Sequence, residues 1–131
     1  MKRMVMLVLA VAAASAFAKD YYINPDPSKA SNSYDGTAKE WQGGTVGPKL
    51  TYASLYGAGK LLQNGDVVHA ARGVYDSGEL VMSSHKYRVV LPAGVTLVAD
   101  EGAAVTTIRG LADGDTTASP WGCGANAVGG V

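Results

Sequence analysis

The chain has 131 residues, and its 11 Lys or Arg are balanced by 11 Asp or Glu. A neutral balance without a basic block gives nucleic-acid binding no electrostatic footprint. The 17 glycines follow no three-residue period, which excludes collagen, and the single cysteine, Cys123, excludes a disulfide framework within the chain.

Lys2-Arg3 opens the chain, residues 4–14 are almost wholly apolar, and Ser15-Ala16-Phe17-Ala18 follows. Small residues at Ala16 and Ala18 predict a signal peptide over 1–18, with Lys19 as the first mature residue. The apolar run is short for a membrane span, which needs about 20 residues. No later stretch is apolar enough to replace it, so no transmembrane span is expected after removal. The expected location is secreted, periplasmic or at the cell surface. Loss of Lys2 and Arg3 leaves the remainder slightly negative.

Tyr21-Tyr22-Ile23 is a short β run closed by Asn24-Pro25-Asp26-Pro27. Two prolines without backbone donors keep it from continuing as a central strand. Residues 28–49 are polar and glycine-rich, a long surface loop expected to wrap one end of the domain and to be anchored there by Trp41. Residues 50–62 have helical spacing, with Leu55, Ala58 and Leu62 on one face beside Leu61. Thr51 is the expected N-cap and Gly65 the terminator. Gly57 and Gly59 each weaken such a helix by roughly 1 kcal/mol, so it is expected to be short.

Beyond Gly65 the runs become short and β-branched, at Val67-Val68, Glu79-Leu80-Val81-Met82, Tyr87-Arg88-Val89-Val90-Leu91, Val95-Thr96-Leu97-Val98 and Val105-Thr106-Thr107-Ile108. An antiparallel sandwich is one solution. A parallel β solenoid accounts for the same runs with a single rule: each coil buries its inner face only against its neighbours, and the first coil needs a cap. The inward set is expected to be Val67, Val89, Leu91, Val95, Leu97, Val105 and Ile108. The fold expectation is therefore all-β, with 19–64 as strand, loop and capping helix and 65–131 as the first coils of a truncated solenoid. Residues 111–131 are expected to pack incompletely for want of the next coils.

Several of these segments, in order, resemble a known group. Tyr21-Tyr22-Ile23-Asn24-Pro25, Ser33-Tyr34-Asp35-Gly36-Thr37, the helical segment at 55–62, Gly65-Asp66-Val67-Val68, Gly73-Val74-Tyr75 and Val95-Thr96-Leu97-Val98 together resemble the N-terminal region of bacterial secreted right-handed parallel β-helix proteins, the pectate-lyase-like superfamily. The resemblance covers most of residues 20–110. It implies an extracellular right-handed β-helix. Its activities range from polysaccharide lyases, some using Ca²⁺, through glycoside hydrolases to adhesins, so fold alone does not choose among them.

The residues themselves supply isolated candidates. Asp66, directly before a β run, is expected to cap a turn. Asp76, Glu79, Asp100 and Glu101 are carboxylates whose chemistry depends on spatial partners. His69 and His85 lack zinc-site spacing; His69 is expected at a strand edge or in the core, and His85 in solvent. Asp113-Gly114-Asp115 reads as a turn, not a calcium loop, and Trp121-Gly122-Cys123-Gly124 lacks the second cysteine of a redox motif. Tyr34, Trp41, Tyr56 and Tyr75 are candidate glycan-contacting aromatics. No catalytic, cofactor or metal residue is assigned. The expected partner is a polysaccharide or a cell-surface protein. The leading role is structural display or glycan and protein contact; the alternative is the N-terminal part of a polysaccharide lyase or glycoside hydrolase.

Overall fold

The computed structural model describes residues 17–56, 61–111 and 127–130. Most of the expected export segment lies outside these residues. So do Ala58, Asp113-Gly114-Asp115, Trp121 and Cys123, and most of 111–131 with its expected loose packing.

The described chain is β-rich and largely parallel-stranded. Its strands are β1 (Asp20–Ile23), β2 (Val67–Ala70), β3 (Gly73–Tyr75), β4 (Leu80–Met82), β5 (His85–Tyr87), β6 (Thr96–Ala99), β7 (Thr106–Ile108) and β8 (Val128–Gly129), with one short helix, α1 (Tyr52–Tyr56). They form three small sheets, ordered β1-β2-β6, β3-β7 and β4-β5-β8. β1-β2-β6 and β3-β7 are parallel throughout, unlike an antiparallel sandwich. Asp20 pairs with Val67, Val67 with Thr96 and Gly73 with Thr106, so the parallel pairings join strands far apart in the chain at unequal spacings.

The parity of the first sheet is set by β1, where Tyr21 and Ile23 are buried. Register carries this inward row to Val68 and Ala70, then to Leu97 and Ala99. The outward row runs through Asp20 and Tyr22, Val67 and His69, Thr96 and Val98. Val67 therefore faces the opposite way from the expectation, and Val68, fully buried, takes its place. Val89, Val95, Leu97 and Ile108 do pack in or against the core. Leu91 and Val105 do not; they are 42% and 40% exposed. Val105 shares the parity of Thr107, which pairs with exposed Val74, so its side chain falls on the outward row. Leu91 lies beyond β5, on an irregular stretch before Pro92.

The β-branched run at 87–91 does not continue as a strand, because β5 ends at Tyr87. Instead β4 and β5 form an antiparallel hairpin turned by Ser83 and Ser84, both at positive φ. Two consecutive positive φ values suit the right-handed twist of a hairpin, but serines do not advertise them. Arg88 leaves the strand to bury its guanidinium, which donates to the carbonyls of Gly78 at 2.7 Å and Arg109 at 3.1 Å.

Thr51 caps α1: its hydroxyl accepts from the Ser54 N–H at 3.3 Å. The helix is described over a single turn, Tyr52–Tyr56, and Leu61 and Leu62 are not helical. Leu62 is nonetheless buried and Leu61 exposed. Gly65, expected as the helix terminator, instead takes positive φ in the turn before β2. Leu55, 1% exposed, occupies space that only a glycine at position 36 leaves open, since a Cβ there would meet Leu55 Cδ2 at 2.7 Å. Burying a leucine this fully contributes roughly 1.5–3 kcal/mol. Tyr52 is buried beside it and its hydroxyl donates to the Val90 carbonyl at 2.8 Å; burial pushes that phenol up to about 12.

The long loop does not hang from Trp41, which is 58% exposed. Its attachment is at Lys49. The Lys49 N–H donates to Tyr22 O, and the Asn24 N–H donates to Lys49 O. The buried Lys49 ammonium donates to the Asn32 carbonyl at 3.0 Å, and burial lowers its pKa. These bonds lay the loop along the free edge of β1.

Candidate functional site

Local turn chemistry builds one wall of an open groove. Asp35 accepts the N–H and the hydroxyl of Thr37 at 2.9 and 2.8 Å, and the backbone bond to Thr37 leads in holding its carboxyl below the usual range. The Asp35 N–H donates to Thr45 O, and Gln42 and Val46 close a small turn between them. Trp41 stands on this turn with its indole N–H donating to Gly44 O at 3.1 Å, so the ring is fixed while its face remains open. Gly47 lets Tyr34 lie alongside: a Cβ there would meet Tyr34 Cδ2 at 2.9 Å and Trp41 Cα at 3.2 Å.

The opposite wall comes from residues just past the C-terminal ends of β1, β2 and β6, namely Asn24, Ala71-Arg72 and Glu101. The groove between has a volume of about 740 Å³, within the range of small-molecule sites. Each cation of its lining faces a carboxylate. Lys29 meets Asp26 at 3.7 Å and Arg72 meets Glu101 at 3.8 Å. Lys39 meets Asp100, behind the groove, at 3.4 Å. Glu40 also lines the groove and makes no ion pair among the described residues.

Beside this groove His69 bridges three strands. It sits on β2, the central strand of its sheet. Its Nδ1 lies 2.7 Å from Asp100 Oδ1, just past β6, and its Nε2 lies 3.1 Å from Asp20 Oδ1 on β1. Ionised carboxylates only accept, so both ring nitrogens carry protons when both bonds form. The bond to Asp100 leads in raising the His69 pKa, against burial, and the bond to Asp20 adds to it. Burial opposes ionisation of Asp100, but bonds from His69 and Lys39 outweigh it and hold its carboxyl below the usual value. Tyr22 stacks on the imidazole at 5.0 Å, adding a cation–π contact. With both ring nitrogens engaged, His69 ties β1, β2 and the end of β6 together as a cross-strand clamp.

The remaining candidates separate. His85 is exposed on β5, in a different sheet from His69, with Nδ1 donating to Ser83 O at 3.0 Å. Asp66 is buried and caps its turn, accepting from the Gln63 N–H at 2.8 Å and the Lys19 N–H at 2.9 Å. Asp76 pairs with Arg109 and Glu79 with Lys86. Among the described residues no three His, Cys, Asp or Glu side chains are disposed to hold a metal ion. Of the four aromatics, Tyr34 and Trp41 meet at the groove. Tyr56 stacks on Tyr52. Tyr75 is a core anchor whose buried hydroxyl shares its one proton between Ala71 O at 2.8 Å and Ile23 O at 3.0 Å, and burial raises its pKa strongly.

Sequence reasoning missed Asp26, Lys29, Lys39, Glu40 and Arg72 at the groove, and Asp20 and Tyr22 at the clamp. One signal was available: Lys39-Glu40-Trp41 is a charged–aromatic triplet just before a Gly-Gly turn. No helix among the described residues is long and apolar enough to cross a membrane. No family model, curated protein or solved structure matches the chain.

Proposed function

We propose that the chain is an exported segment of the pectate-lyase-like right-handed β-helix type, and that it contacts a glycan through the groove beneath Trp41 without cleaving it. One observation carries this reading: an exposed indole, its N–H bonded to Gly44 O, lines a groove rich in polar side chains, beside Tyr34. An aromatic face offers the apolar C–H side of a sugar ring a flat partner, while the polar lining takes its hydroxyls. The basic start, apolar run and Ala-Phe-Ala segment support export.

A hydrolase reading draws on Asp26, Glu40 and Glu101 lining the same groove. It requires one carboxyl kept protonated at neutral pH. Asp26 is unsuited, because the bonds from Ser28 lower its pKa, and Glu101 pairs with Arg72. Isothermal titration with a panel of oligosaccharides tests the binding reading. Trp41→Ala is expected to weaken binding ~tenfold or more. Retained affinity in that variant, or release of unsaturated or hydrolysed fragments by the parent chain, would overturn it.

A further inference from the structure

We infer that the groove selects a neutral glycan over a polyuronate. The inference rests on the glycan-contact reading and concerns its ligand class. Recognition of a sugar carboxylate calls for Arg or Lys free to make charge-assisted, preferably bidentate, bonds. Each cation lining this groove already faces a carboxylate of the protein: Lys29 faces Asp26, Lys39 faces Asp100 and Arg72 faces Glu101. A uronate would have to compete with these carboxylates for the same cations. It would also approach Glu40, whose charge is uncompensated by any ion pair among the described residues.

A neutral sugar meets none of these penalties. Its hydroxyls donate to the carboxylate oxygens of Glu40 and Glu101, which remain acceptors even where ion-paired, and its ring lies on Trp41. Asn24, with both an amide donor and a carbonyl acceptor, also lines the groove. Such binding is governed by shape and short-range hydrogen bonds and responds weakly to salt, whereas a uronate held by Lys and Arg would be screened.

The test is calorimetric titration of the full chain with cellohexaose, xylohexaose and mannohexaose against hexagalacturonate and hexaguluronate. The expected result is at least one neutral hexasaccharide binding ~tenfold more tightly than either uronate. Its affinity should change less than about twofold between roughly 0.05 and 0.5 M salt. Glu40→Gln is expected to narrow the preference by admitting the uronates. Tighter, salt-sensitive uronate binding that is lost in Trp41→Ala would overturn the neutral-ligand inference and leave the groove reading standing. No binding by any hexamer, or binding indifferent to Trp41→Ala, would overturn the groove reading and this inference with it.

Discussion

Replacing His69 with glutamine should reveal a stabilising contribution that depends on pH. The imidazolium makes two charge-assisted bonds of unequal worth. The Asp100 side chain is 17% exposed, and a bond to such a partner contributes ~1.5 kcal/mol. The Asp20 side chain is 62% exposed, so solvent screening reduces that arm to ~0.3 kcal/mol. Glutamine keeps one neutral hydrogen bond, which leaves an expected loss of about 1–1.5 kcal/mol where His69 is charged. The sign follows from the direction of the shifts. The His69 pKa in the folded chain is raised above 6.5, so its contribution is complete below that pH and is lost as pH rises through the folded value. The Asp100 pKa is lowered below 3.8, so its contribution is complete above that value and fails only as pH falls through its folded value. The difference between parent and His69→Gln should therefore be largest between about pH 5 and 6 and shrink as pH rises through the folded His69 value. Urea unfolding at these pH values measures it. With m near 1–2 kcal/mol/M for a chain this small, the midpoint should separate by roughly 0.5–1.5 M at the acidic end. A separation that is constant with pH, or that widens toward pH 9, would refute the clamp.

Three further outcomes follow from other contacts. Tyr75→Phe removes the donor that serves both Ile23 O and Ala71 O, and should lower stability by about 1–3 kcal/mol in the same urea assay; an unchanged midpoint would show those carbonyls to be satisfied otherwise. Gly47→Ala drives a Cβ toward the Tyr34 ring and the Trp41 backbone, so glycan affinity should fall severalfold with a stability change of about 1 kcal/mol. Calorimetry that finds parent affinity in this variant would separate the Tyr34–Trp41 arrangement from binding. Cleavage before Lys19 turns its backbone nitrogen, 2.9 Å from buried Asp66, into an ammonium. The chain starting at Lys19 should then be more stable at neutral pH by ~1 kcal/mol than one extended by a single alanine; equal midpoints would count against that charge pair.

The sequence announces the strands more clearly than their faces. β-branched runs mark β2, β6 and β7 because those side chains fit a pleated surface. Val67 and Val68 are both apolar, however, and only the register with Tyr21 and Ile23 decides which is inside. The hairpin at Ser83-Ser84 escapes notice because its positive φ values are imposed by context and not by glycine or asparagine. Tyr34 and Trp41 are legible as ligand-contacting types, but nothing in their spacing brings Arg72 and Glu101 to them. The clamp is less visible still, since His69 meets partners 49 and 31 residues away that only parallel stacking brings together.

The loop laid along β1 also has a consequence for the order of assembly. Gly36 accepts the Tyr22 N–H, and Lys49 exchanges bonds with Tyr22 and Asn24. All of these residues leave the ribosome before β2 does. The outer side of β1 can thus be closed while the rest of the chain is still arriving, and β2 then finds only one side on which to pair. β6 adds beyond β2 in turn. A sheet sealed early on one side grows in a single direction, with each arriving strand templated by the one before, and two half-made copies are denied a shared β1 edge on which to join.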